Sequence, residues 1–232
     1  VGALTDAELV PGVRTEVPVG YHNVDGQRAG FRTPAPAPGA DLPEWPRPAQ
    51  PAPPADHPPL PFAGMRIVDL GIIVAGGELS RLFGDLGAEV IKVESTQFPD
   101  GLRQTRPGQV MSESFAWTHR NNLALGLELR SADGAAVFAD LVGRSDAVFA
   151  NFKPGTLAGL GFPFEKLQEI NPRIVLAESS AFGDTGPWSN RLGYGPLVRA
   201  STGVTSLWAG EDAGDGRHPF FDATTVFPDH VV

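Results

Sequence analysis

Residues 65–94, MRIVDLGIIVAGGELSRLFGDLGAEVIKVE, decide the reading of the fold. Residues 65–70 form a short apolar run bounded by Gly64 and Gly71, which reads as a strand. Leu79, Leu82, Phe83 and Leu86 then recur at helical spacing across 78–86, and Gly87 supplies a C-terminal stop. Residues 89–94, EVIKVE, read as the next strand. A strand, a helix and a strand in this order imply parallel pairing through a right-handed crossover.

Downstream the pattern recurs. Residues 123–129 read as a strand, and Ser131 with Asp133 opens a helix that runs from Ala135 to Val142 and packs Val137, Phe138, Leu141 and Val142. Residues 147–150 form a short buried strand, 163–170 a helix with Phe164, Leu167 and Ile170 on one face, and 173–178 another strand. Alternation of this kind predicts an α/β domain with a mostly parallel sheet and flanking helices. No internal repeat is visible within it.

Upstream the texture is different. Of the 23 prolines, 12 fall between Pro34 and Pro61, a density that removes ladder donors and stops helices. That segment is expected to be an extended, polyproline-like arm or linker. Before it, 13–32 carries short alternating runs and a turn signal at Asn23-Val24-Asp25-Gly26, read as one weak hairpin or an unstructured tail. The expected organisation is therefore residues 1–33 as the tail of a preceding domain or a disordered segment, 34–61 as linker, and 62–232 as the α/β domain. Val1 in place of Met, and a last element with no evident stop, read as a fragment of a longer protein.

Composition narrows the chemistry. The absence of cysteine excludes disulfide scaffolds, thiolate zinc sites and cysteine nucleophiles in this sequence. A net charge of −9 argues against a nucleic-acid surface. No apolar run approaches the roughly 18 residues that a membrane span needs, and no secretory leader is evident, so a cytoplasmic protein is expected. No histidine pair has metal-ligand spacing and GxSxG is absent, which leaves zinc catalysis and serine hydrolysis without residues.

Four segments carry candidate chemistry. The turn Gly71-Ile72-Ile73-Val74-Ala75-Gly76-Gly77 opens a helix N-terminus, which favours an anion such as a phosphate, and Glu94 ends a strand where a dinucleotide fold places an acid on ribose. The glycine spacing is not GxGxxG, so plain loop geometry is the competing reading. Asn151-Phe152-Lys153-Pro154-Gly155 follows a buried strand at the sheet edge where ligands gather; it is either a heterocycle and phosphate contact or a turn with a solvated lysine. His119-Arg120-Asn121-Asn122 is similarly a phosphate contact or a polar loop. The glycine-rich stretch from Gly183 to Pro196 is long enough to be functional, and Asp222 and Asp229 beyond it are candidate nucleophiles or bases.

Six segments together resemble the first half of family III CoA-transferases, the CaiB/BaiF family: PFAGMRIVDLG, LFGDLGAEVIKVE, RNNLALGLELRS, NFKPGTLAGLGF, INPRIVLAESSAFGDTGPW and GYGPLVRASTG. The resemblance covers 61–232. It implies a Rossmann-like large domain, an interlocked homodimer or tandem-domain dimer, and transfer of CoA between carboxylic acids, with acyl-CoA and a carboxylic acid as ligands and no metal. It implies that Ile73, Val74 and Ala75 touch CoA, that Leu127 and Arg130 lie on its nucleotide side, and that Asn151, Phe152 and Lys153 lie beside pantetheine and phosphates. Asp229 matches the nucleophile, with Asp222 the fallback. Tyr194 stands where racemases of the family carry an acid/base histidine; a phenol with a pKa near 10 is a poor base at neutral pH, which favours a transferase. Ser95, Gly159 and Asn122-Leu123 stand where basic residues are common, so CoA phosphates would lose cations. Residues 1–32 resemble the end of an upstream copy, which implies a tandem parent.

Overall fold

A computed structural model describes residues 4–20, 23–28, 30, 33–35, 37–40, 60–208, 210 and 227–230. The chain divides into two units, Val1–Pro58 and Pro59–Val232. In the first, β1 (Leu4–Val10) pairs antiparallel with β2 (Val13–Pro18) around Pro11-Gly12, and Ala7 and Val17 are its buried side chains. A second, two-residue ladder joins β3 (Asn23–Val24) to β4 (Gln27–Arg28). Asp25 and Gly26 between them both have positive φ, 49° and 76°, as a tight Asp-Gly hairpin turn requires. The hairpin expected at the 23–26 turn is β3–β4, and a second, β1–β2, precedes it. Strand β1 escaped the sequence reading because Leu4, Ala7, Leu9 and Val10 do not alternate strictly. Most of the proline-rich arm, 41–59, lies outside the described residues.

The second unit is built on a five-stranded sheet in which every pairing is parallel. Its elements are β5 (Arg66–Asp69), α1 (Ile73–Asp85), β6 (Glu89–Glu94), α2 (Glu113–Thr118), β7 (Asn122–Gly126), α3 (Ala132–Val142), β8 (Ala147–Ala150), α4 (Thr156–Gly159), α5 (Phe164–Ile170), β9 (Val175–Glu178) and α6 (Gly195–Ser201). Single 3-10 turns occur at Gly101–Arg103, Val204–Trp208 and Phe227–His230. The strand order is β7-β6-β5-β8-β9, so the chain starts in the middle, builds outward on one side, then crosses to the other. The expected α/β class is what the structure has, and the order reverses between β5 and β8.

Strand alternation gives the sheet two buried faces. Val68, Leu70, Val93, Val148 and Ala150 meet Phe138 and Val142 of α3 and Leu167 of α5 on one side. Ile67, Val90, Ala147 and Phe149 meet Leu79 and Phe83 of α1 on the other. Both sets are buried, which explains why the strands read as nearly continuous apolar runs. Two residues break that pattern on the α1 side: Asp69 and Lys92, paired side by side in the β5–β6 register and 0% and 2% exposed.

Several expected boundaries shift for identifiable reasons. Helix α1 starts at Ile73, five residues before the expected Glu78, because Gly76 and Gly77 serve close packing inside the helix rather than a loop. A Cβ at Gly76 would overlap Gly71, and one at Gly77 would overlap Thr118 and His119. Strand β7 ends at Gly126; Leu127 still donates its N–H to Glu94 O (2.8 Å), after which the chain turns into the Ser131 cap. Ser131 Oγ accepts the Gly134 N–H as expected (3.0 Å). Helix α2, capped by Ser112, and helix α6, entered through Pro196, both occupy stretches to which the sequence assigns no helix.

Among the described residues no helix is long and apolar enough to cross a membrane. Nor does any group of three or more His, Asp or Glu side chains form a metal-binding arrangement among them.

Candidate functional site

The turn that leaves β5 is tied down at every backbone group that matters. Asp69 Oδ1 accepts the Gly71 N–H (2.8 Å), and Lys92 Nζ donates to Gly71 O (2.7 Å). The Asn151 side chain accepts the Ile72 N–H and donates to Ile72 O, both at 2.8 Å. Asp100 accepts the Ile73 N–H on both carboxylate oxygens, at 3.2 and 3.1 Å. Asp100 also takes Lys92 Nζ (3.0 Å), His119 Nε2 (3.1 Å) and the Leu102 N–H (2.8 Å). Burial by itself would raise the Asp100 pKa; the His119 and Lys92 contacts and the Leu102 N–H outweigh it and hold the carboxyl well below its usual range. At Asp69 the balance goes the other way, and burial pushes its carboxyl up in spite of Lys92 and the Gly71 N–H.

Over this turn lies a cavity of about 250 Å³ at the carboxyl ends of β5, β8 and β9. It therefore sits at the reversal of strand order, where open parallel sheets leave a crevice. Ile72, Ile73 and Ala75 form one wall; Asn151, Phe152, Lys153 and Thr156 the second; Ser179, Ser180 and Ala181 the third. The residues entering α6, from Arg191 through Tyr194 to Gly195 and Val198, close it together with Pro228 and Asp229. Its reactive inventory is one carboxylate, one phenol, two cations and three hydroxyls, set beside the apolar faces of Ile73 and Phe152. Gly195 lets the carboxylate in: a Cβ built there would lie 2.6 Å from Asp229 Oδ2.

Residues 62–231 match CoA-transferase family III. The chain belongs to that family. Its relatives include "Probable CoA-transferase Rv1866" of Mycobacterium tuberculosis, 70% identical over 236 residues, an alignment covering 100% of this chain and 30% of the relative. The beta subunit of succinyl-CoA–L-malate CoA-transferase from Chloroflexus aurantiacus is 33% identical, over 75% of this chain and 42% of the relative. Among solved structures, a CaiB/BaiF family protein from Brucella suis aligns with a TM-score of 0.66 at 31% identity, covering 74% of this chain and 46% of that one. The chain thus spans less than half the length of these proteins.

Within this family III segment the cavity gathers most of the residues singled out from the sequence. Ile73, Ala75, Asn151, Phe152, Lys153, Tyr194 and Asp229 all line it, although they span 157 positions of the chain. Val74 is half-buried and does not line it. Leu127 packs against the core beneath α3, and the Arg130 guanidinium lies 4.1 Å over the Phe98 ring, both away from the cavity lining. Asp222 lies outside the described residues. Asn151 spends both ends of its amide on Ile72, so it shapes the wall as well as lining it.

In the 119–122 segment the buried His119 meets Asp100, Arg120 and Asn121 meet Asp85 nearer the surface, and Asn122, the first residue of β7, donates to Ser80. Glu94, the candidate ribose acid, is paired with Arg103 and accepts the Asp100 N–H (3.2 Å). Sequence reading missed Asp69, Lys92, Asp100, Arg191 and the Ser179–Ser180 pair. A signal existed for the first two, since each is a charge inside an otherwise apolar strand; Asp100 and Arg191 sit in loops and had none.

Gly195→Ala tests the closest approach in the site. The added methyl has to displace the Asp229 carboxylate, a side-chain tip that can swing away, so folding stability should change by less than about 1 kcal/mol. On the reading of Asp229 as the reacting group, turnover of a protein of full family length should fall about 100-fold. A variant that keeps wild-type turnover would show that the carboxylate need not sit against Gly195.

Proposed function

We propose that residues 62–232 are the N-terminal part of the large domain of an acyl-CoA transferase that moves CoA between carboxylic acids through an aspartyl covalent intermediate. The observation that carries this reading is the meeting of Asp229 and Tyr194 with the Ile73, Phe152 and Lys153 walls in one crevice. The Asp229 carboxylate attacks the thioester carbonyl of acyl-CoA, the C–S bond breaks, and a mixed anhydride and CoA thiolate result. The thiolate then attacks the aspartyl carbonyl, releasing the first acid and leaving an aspartyl-CoA thioester. The second acid repeats the sequence in reverse, so two moderate barriers replace one high barrier. The oxyanions are stabilised by backbone N–H groups of the glycine-rich stretch between Gly183 and Gly195. Phe152 and the apolar Ile73 wall receive pantetheine, while Lys153 and, on the nucleotide side, Leu127 and Arg130 meet the phosphates and the base.

Residues 62–232 carry these groups, and the remainder of the acyl pocket comes from sequence beyond this segment, from a second copy in an interlocked dimer, or from a tandem copy. The relatives named as CoA-transferases support the activity class. A dinucleotide enzyme is disfavoured by Glu94, whose carboxylate is occupied by Arg103 and the Asp100 N–H.

Calorimetry on a protein of full family length separates the readings. CoA should bind and NAD should not. Binding of NAD would replace the transferase with an oxidoreductase, and binding of neither would mark a noncatalytic copy.

A further inference from the structure

Ile73 is strained in a way its sequence does not require. It is β-branched, yet its φ is +57°, a left-handed conformation that costs about 1–3 kcal/mol outside glycine. Such outliers persist only where their surroundings hold them. Here the Ile73 N–H is received by both oxygens of Asp100, and the Ile73 side chain lies against Gly101, where an added Cβ would come within 3.2 Å of Ile73 Cγ1. Asp100 is itself fixed from below. It is 1% exposed and takes the buried Lys92 ammonium and the buried His119 ring. His119 Nδ1 is buried with no hydrogen-bond partner among the described residues, which leaves the ring's contact with Asp100 as its one polar attachment.

We propose that Asp100 is a positioning residue: anchored by Lys92 and His119, it holds Ile73 in the left-handed conformation and so sets the wall that the turn presents to the cavity. Asp100 does not line the cavity and touches nothing that reacts. It acts through Ile73, whose relaxation to an ordinary helical φ would carry the N–H away from the carboxylate and the side chain out of the wall. The functional part of this inference rests on the cavity being the acyl-CoA site.

A double-mutant cycle in the full-length protein tests it, with Asp100→Asn and Ile73→Gly made singly and together. Two readings are taken: hydrogen exchange at residues 72 and 73 against Val68 and Val90 in the strands, and affinity for CoA. Asp100→Asn should lose protection at 72 and 73 at least about tenfold more than in the strands, and should weaken CoA about tenfold. Glycine adopts the left-handed conformation without strain, so in the Ile73→Gly background the same substitution should weaken CoA less than about threefold. Equal loss of protection in turn and strands, or additive effects in the double variant, would overturn the proposal and leave Asp100 a general core residue. If Asp100→Asn does not fold, His119→Gln replaces it in the cycle with the same expected pattern. If the wild-type protein binds no CoA, the reading of the cavity fails, and the exchange measurement still decides whether Asp100 holds the turn.

Discussion

Asp229→Asn should abolish CoA transfer while leaving the ligand bound. The substitution keeps the size of the side chain in the crevice and replaces the proposed anionic nucleophile with a neutral amide. Turnover is expected to fall by at least about three orders of magnitude, as for other residues that form a covalent intermediate, with CoA affinity within about threefold of wild type. Trapping provides an independent reading: after incubation with acyl-CoA, hydroxylamine or borohydride should mark the peptide containing Asp229. Asp222→Asn is the comparison and should cost little. Activity retained in the Asp229 variant, or a label on Asp222, would move the nucleophile assignment without touching the family.

Lys92→Met should be the most destabilising single change in the second unit. Lys92 is 2% exposed between Asp69, its register partner, and Asp100, its ion-pair partner at 3.0 Å. Its removal leaves two carboxylates buried with their main counter-charge gone, a situation that costs about 3–5 kcal/mol. The pH dependence has a definite sign. Burial already raises the Asp69 pKa above its ordinary value, and loss of Lys92 raises it further. The folded variant then binds a proton more readily than the unfolded chain, so its stability rises as pH falls from neutral toward the ordinary carboxylate range. Urea unfolding of variant and wild type at pH 7.5 and pH 5.5 should show the gap narrowing at the lower pH. A gap that stays constant or widens would mean that Asp69 does not take up the proton.

The comparison of Asp69 with Asp100 shows what could be read early and what could not. Asp69 and Lys92 each interrupt an apolar strand, so their burial follows from the same alternation that reveals the strands. Asp100 lies in an irregular stretch with no periodicity, and only the meeting of that stretch with β6, α2 and the β5 turn makes it a central residue. The glycines at 76 and 77 were misread for a related reason. A glycine that permits a turn and one that permits close packing look alike in a sequence, and the partners that distinguish them come from folding: the Gly71 backbone and the Asn151 side chain for one, the Thr118 and His119 side chains for the other.

By itself the sequence determined the α/β class, the order of the five parallel strands, the family resemblance and seven of the residues that line the crevice, Ile73, Ala75, Asn151, Phe152, Lys153, Tyr194 and Asp229. These rest on local periodicity and on motifs whose residues are neighbours in the chain. The tertiary structure alone decided that the chain returns to the middle of the sheet between β5 and β8, which places the crevice over the turn at 71–73. It alone brought Tyr194 and Asp229 across the sheet edge to Ile73, and put a buried carboxylate under a left-handed isoleucine. Contacts of that kind join residues tens of positions apart, and they are set by how the layers pack rather than by any pattern a short window can contain.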